Sequence, residues 1–170
     1  MLQFHAPTVA HTHAIAGAVA GLARRGDLIV LAGEMGSGKT AFAQGFGAAL
    51  GVTEPITSPT FNLLHSYEAG RMTLHHADVY RLSTVHEVAD LALSELLETN
   101  AVVLVEWGDV VAGSLGDHLS VRLEHVEEDE EARRISISGI GRSWAARWQR
   151  LGDALAAAND DGAGSAAAPC

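Results

Sequence analysis

The stretch Gly33-Glu34-Met35-Gly36-Ser37-Gly38-Lys39-Thr40 constrains this chain more than any other. It satisfies the phosphate-binding pattern G-x-x-x-x-G-K-[ST] at every fixed position. Its surroundings match as well. Leu28-Ile29-Val30-Leu31 before it is an apolar run suited to a buried strand. Ala41-Phe42-Ala43-Gln44 after it opens a helical run, with Phe42, Phe46 and Leu50 at spacing four. Glycines let the backbone turn its N–H groups toward an anion, and a helix start adds free donors and the positive end of a dipole. Lys39 is the only lysine in the chain. Its compact ammonium stands where a contact to the β- and γ-phosphates is needed. Strand, loop and helix therefore predict a triphosphate site. Glu34, Met35, Gly36, Ser37, Gly38, Lys39, Thr40 and Ala41 are its expected nucleotide-binding residues.

Composition narrows the partners. The chain has 170 residues, and its formal charge of −10 argues against direct, backbone-dominated nucleic-acid binding. The single cysteine, Cys170, allows no intrachain disulfide and fits a reducing compartment. No signal peptide or membrane span is evident, so the expected location is cytoplasmic.

Along the chain, residues 1–8 read as a short strand or arm ending at Pro7. A helix follows from a Thr12 cap to Arg25, stopped by Gly26. His11 and His13 near its start read as surface residues. After the loop helix, Thr57-Ser58-Pro59-Thr60-Phe61 forms a stiff, hydroxyl-rich segment. Its distance from Thr40 suits either a nucleotide-sensing loop or an ordinary turn. Phe61–Tyr67 and Met72–Asp78 read as an antiparallel hairpin about Ala69-Gly70. The tandem His75 and His76 fall on opposite faces of the second strand, which suits packing or surface roles better than a shared metal.

A helix from Ser83 or Thr84 to about Glu98 comes next. Then Ala101-Val102-Val103-Leu104-Val105-Glu106 reads as a central strand that delivers a carboxylate at its C-terminal edge. Gly108 to His118 is a short, Gly-interrupted helix or loop. Leu119–Glu124 and Arg134–Ser138 alternate as half-buried strands about a solvated acidic tip at Glu127–Glu131. Trp144, Trp148, Leu151 and Leu155 form one stripe of a last helix that docks on its own domain. Residues 1–156 are expected to form one domain and 157–170 a disordered Ala/Gly-rich tail. The expected fold is α/β: a P-loop NTPase-like single domain with a mixed, mostly parallel sheet, flanking helices and an antiparallel hairpin.

Three side chains should converge on the phosphates. Thr40 and Asp78 are the expected Mg²⁺ ligands. Glu106 is expected to orient or activate water, or to join the metal shell. Arg81 is either a phosphate contact or a salt-bridge partner.

The residues carrying this reading also resemble the TsaE (YjeE) family of bacterial ATPases. Such proteins combine a G-x-x-G-x-G-K-T loop, an S-P-T-F segment, D-[LV]-Y-R after a strand, and an apolar run ending in E-W. Here these are Gly33–Thr40, Ser58–Phe61, Asp78–Arg81 and Glu106-Trp107, in that order. The resemblance implies a P-loop ATPase that takes ATP and Mg²⁺. It also implies support of threonylcarbamoylation of adenosine 37 in tRNA, beside TsaD- and TsaB-like partners. It places Thr60 in the switch-like loop as a catalytic residue with Lys39 and Glu106, and Trp107 next to the nucleotide.

Two other classes compete. A small-molecule kinase would start at the phosphate-loop strand and carry more arginines between Thr40 and Arg122 than Arg71 and Arg81. A nucleotide-dependent regulatory subunit with negligible hydrolysis would use the same residues.

Overall fold

In the computed structural model of the chain, residues 1–59, 62–80, 92–108, 115–127 and 129–164 are described. Seven strands form one sheet: β1 (Leu2–Ala6), β2 (Leu28–Ala32), β3 (Leu64–Ala69), β4 (Met72–Asp78), β5 (Ala101–Glu106), β6 (His118–Val126) and β7 (Asp129–Ile140). Helices α1 (Val9–Leu22), α2 (Lys39–Leu50), α3 (Leu93–Glu98) and α4 (Trp148–Gly164), with a 3-10 turn at Ala145–Arg147, complete the described elements. The sheet order is β1-β7-β6-β2-β5-β4-β3. Its centre, β6-β2-β5-β4, is parallel. Antiparallel pairs β1–β7, β6–β7 and β3–β4 build the two flanks. The fold is thus the expected mixed α/β domain, and five of the seven strands run in one direction.

The period of two along each strand divides the core between two faces. Ile29 and Leu31 of β2, with Val102 and Leu104 of β5, pack under α1, α2 and α4 with Ile15, Phe42, Phe46, Leu151 and Leu155. Leu28, Val30, Val103 and Val105 face the other way, against Leu93 of α3. Residue by residue β2 is buried on both sides, which is why it reads as an unbroken apolar run. Burying one such large side chain contributes about 1.5–3 kcal/mol.

Parity also places the acids. Glu106 shares the α2 face with Val102 and Leu104, and Asp78 is its register partner on β4. Both strands therefore end with a carboxylate at one level of the sheet, beside the N-terminus of α2.

Several boundaries differ from expectation. Helix α1 begins at Val9, three residues before Thr12, and its cap is Thr8, whose Oγ1 accepts from the His11 N–H at 3.4 Å. Pro7 before that cap ends β1 and sets the entry. His11 is buried at 4 % exposure and pairs through Nδ1 with Thr8 Oγ1 at 2.8 Å, so it is a core residue rather than a surface one. Strand β3 begins at Leu64, not Phe61. Both β6 and β7 outrun their alternating segments, since a hairpin ladder continues into polar residues once its register is set. Helix α4 continues past Ala156 to Gly164. The run Ala156-Ala157-Ala158 has the highest helix propensity and prolongs a helix already docked by Leu151 and Leu155. The expected start of the preceding helix at Ser83 or Thr84 lies outside the described residues.

Candidate functional site

The site forms where β2 gives way to α2. Gly33, Gly36 and Gly38 have φ of 139°, 76° and 98°, which side chains adopt only at a cost. At Gly33 there is no room either. A Cβ there would stand 2.2 Å from the Leu123 carbonyl oxygen and 2.6 Å from Ser37 Oγ. The loop is thus wound tightly against β6. Lys39, the first residue of α2, is 5 % exposed, and its Nζ donates to the carbonyls of Gly33 and Glu34, each at 2.8 Å. The ammonium also lies 3.8 Å from the centre of the Trp107 ring, a cation–π distance.

A hydrogen-bonded chain runs from the helix into the sheet. Thr40 Oγ1 donates to Glu106 Oε1 at 3.1 Å. The same carboxylate oxygen meets His76 Nε2 at 2.9 Å. Glu106 is 3 % exposed and His76 fully buried. Asp78 is bound separately. Ser58 Oγ donates to its Oδ2 at 2.7 Å, and the Tyr80 backbone N–H donates to its Oδ1 at 2.9 Å. Glu106 and Asp78 are thereby fixed through different neighbours although their strands are paired. Beyond the acids, the Tyr80 and Trp107 rings meet at a tilt of 46° with centres 4.7 Å apart.

These groups line one cleft of about 430 Å³, bounded by Met35, Gly36, Gly38, Lys39, Thr40, Ser58, Leu63, Asp78, Tyr80, Glu106 and Trp107. The cleft joins a cationic, donor-rich loop directly to two carboxylates and an aromatic pair. Such a cleft can hold a polyanion at the loop and place an oxygen nucleophile or a hard cation near the acids.

The structure therefore brings together Met35, Gly36, Gly38, Lys39, Thr40, Asp78, Glu106 and Trp107. Glu34 contributes its backbone carbonyl to Lys39. Ser37 Oγ is buried and, among the described residues, has no hydrogen-bond partner. Ala41 stands in the first turn of α2. Thr60 and Arg81 lie outside the described residues. Among the described residues no three His, Cys, Asp or Glu side chains gather as a metal site. No described helix is long and apolar enough to cross a membrane.

Reading the residues alone missed three contributors. His76 was readable only in part: it shares parity with Asp78, but its contact to Glu106 depends on the β4–β5 register. The other histidine of the tandem, His75, is half-buried and bonds Ser66. Burial pushes it below the ordinary histidine value, with the Glu68 carboxylate opposing the shift. Ser58 belongs to the stiff, hydroxyl-rich segment, but nothing in the sequence names Asp78 as its partner. Arg133, distant in sequence, reaches the loop from behind and gave no local signal.

Strand, glycine loop, helix and the two in-register acids define a protein of the P-loop NTPase-like α/β class. Comparison with known proteins narrows this further. Residues 6–135 match the family model described as "Threonylcarbamoyl adenosine biosynthesis protein TsaE". The chain belongs to the TsaE family. The tRNA threonylcarbamoyladenosine biosynthesis protein TsaE of Bacillus subtilis is 37% identical over 134 residues, covering 78% of this chain and 82% of that protein. The TsaE protein of Mycobacterium tuberculosis is 46% identical over 129 residues, covering 69% and 74%. The crystal structure of Bacillus subtilis YdiB superposes with a TM-score of 0.73 at 29% identity, covering 92% of this chain and 94% of that one. Membership places the chain in the biosynthesis of threonylcarbamoyladenosine in tRNA.

Proposed function

We propose that the chain binds ATP with Mg²⁺ in this cleft and hydrolyses it in support of tRNA threonylcarbamoylation, beside TsaB- and TsaD-like partners. The observation that carries this reading is the Thr40–Glu106 hydrogen bond at the neck of the glycine loop. A carboxylate held there would stand beside the terminal phosphate of a loop-bound triphosphate, within reach of its attacking water.

The residues fit both groups. Backbone N–H groups of Gly36 to Thr40 would cradle the phosphates at the start of α2, and the Lys39 ammonium would turn from its two carbonyls to the phosphate oxygens. For the metal, Thr40, Asp78 and Glu106 offer oxygen donors lining one cleft. Mg²⁺ prefers such hard donors and takes only one or two carboxylates beside phosphate oxygens and water. Thr40 and Asp78 would hold it, and it would supply neutralisation of phosphate charge. Glu106 would orient a water and accept its proton as the water oxygen adds to the γ-phosphorus. The bond from that phosphorus to the ADP oxygen breaks, and Lys39 with the loop amides stabilises the charge left on ADP. Trp107 and Tyr80 would close the cleft against solvent.

The acidic balance of the chain supports a role through protein partners rather than a direct grip on tRNA. The test is binding and turnover with purified components. Lys39→Ala should abolish ATP binding by calorimetry; retained micromolar affinity would remove the loop from the site. Adding TsaB- and TsaD-like proteins to the unaltered chain should raise phosphate release. Stimulation instead by a small-molecule acceptor, with a phosphorylated product, would make the protein a kinase.

A further inference from the structure

Arg133 lies on β7, ninety-three residues beyond Thr40 in sequence, yet it touches the loop. Its Nε donates to the Ser37 carbonyl at 3.0 Å, and one terminal nitrogen to the Gly36 carbonyl at 3.2 Å. The other terminal nitrogen donates to the carbonyls of Glu130 and Ala132 at 2.6 and 2.7 Å. One guanidinium therefore spans four carbonyl oxygens, two on the glycine loop and two on its own strand. The planar fork suits this task, as a lysine ammonium would not.

The chemistry follows from the peptide plane. In a trans peptide the C=O and the next N–H point in opposite directions. Arg133 holds the Ser37 carbonyl from behind the loop, so the Gly38 N–H of that peptide is directed to the other side, where the cleft lies. A cation on the carbonyl also polarises the peptide and strengthens its N–H as a donor. The contact is one-sided: Arg133 is not among the residues lining the cleft. Leu123 of β6 backs the same glycine from below, with its Cδ2 at 3.7 Å from the position of a Cβ on Gly38.

We propose that Arg133 is a positioning residue of the phosphate site, which presets the Ser37–Gly38 peptide as an anion donor without itself touching the ligand; the Ser37 N–H is already given to the Glu34 carbonyl at 3.2 Å. The proposal rests on the phosphate-binding reading of the loop. It assigns the β6–β7 hairpin a part in ligand affinity rather than only in sheet closure.

The test uses the full chain and the variants Arg133→Ala and Arg133→Lys. Two measurements separate this proposal from the reading beneath it. Amide hydrogen exchange, with no nucleotide added, should quicken in the Gly33–Gly38 segment of Arg133→Ala while the β2 and β5 amides keep their protection. Unchanged exchange in the loop would overturn the proposal whatever the loop binds. With ATP and with pyrophosphate as probes, Arg133→Ala should bind about ten-fold more weakly. KM for ATP should rise by the same factor with kcat within two-fold, and Arg133→Lys should recover part of the loss. Equal affinity in all three proteins overturns the proposal. So does a loss of affinity that only follows a fall in melting temperature. Binding of neither probe by the unaltered chain removes the phosphate-site reading and this inference with it.

Discussion

Glu106 is the residue on which the candidate chemistry turns. It ends an otherwise apolar strand, is almost fully buried, and accepts from Thr40 while meeting His76. A buried carboxylate is tolerable only when its oxygens are paired, and here the pairing also fixes its direction. Glu106→Gln keeps the size and can still accept from Thr40, but it cannot take up a proton. ATP affinity should stay within about three-fold, while kcat falls by about 10² or more, the range for loss of a general base. Phosphate-release assays beside calorimetry decide it, and an unchanged kcat would leave Glu106 as structure alone. The acid itself is legible in the sequence because charge at the end of a buried strand is conspicuous. Its second partner is not. His76 stands in a histidine pair whose parity is plain, but only the register of β4 on β5 brings it to Glu106.

At the scale of elements, helices α1 and α2 approach closely because glycine stands at the crossing. A Cβ on Gly45 would lie 2.6 Å from His13 Cα and 2.9 Å from the His13 carbonyl oxygen. Backbone cannot yield as a side chain end can, so the two helices would have to part. Gly45→Ala should lower stability by about 1–3 kcal/mol, as overpacking does. Thermal unfolding measures this, and an unaltered midpoint would show that the helices separate freely. Most elements could be read from periodicity: β2, α2, β4 and β5 fall close to where the pattern puts them. The misplaced ends have local causes. Helix α1 starts at the hydroxyl nearest its preceding proline rather than at the threonine beside its apolar stripe, and β6 and β7 extend as far as their ladder carries them. Neither cause shows in hydrophobic spacing.

Across the whole molecule, the site and a buried ionic pair stand at opposite ends of β2. Arg147, in the turn before α4, forms a two-pronged ion pair with Asp27, just ahead of β2. It also donates to the Leu22 and Ser143 carbonyls and stacks on Trp144, 3.9 Å from the ring centre. This ties the C-terminal segment to the strand that carries the glycine loop. Arg147→Leu alone would strand a buried carboxylate and should cost about 3–5 kcal/mol. Asp27→Asn combined with Arg147→Leu should cost less than the two single changes added, because neither charge is left unpaired. Chemical denaturation of all four proteins measures the coupling, and simple additivity would show that the pair does not act as a unit. The apolar stripe of the last helix was visible in the sequence, but this pair was not, since its members are 120 positions apart.

Lys39 is already engaged before any ligand arrives. Its ammonium is held by two carbonyls and by the face of Trp107, and Trp107 itself sits at a φ of 63°, a backbone conformation costing on the order of 1–3 kcal/mol. Any occupant of the loop must exchange these contacts for its own. Under the proposed reading, a ligand with little charge would gain too little from Lys39 to displace them, whereas a di- or triphosphate would gain more than it disrupts. The lysine would then work as a charge filter, sorting ligands by their phosphate end before ribose or base is read.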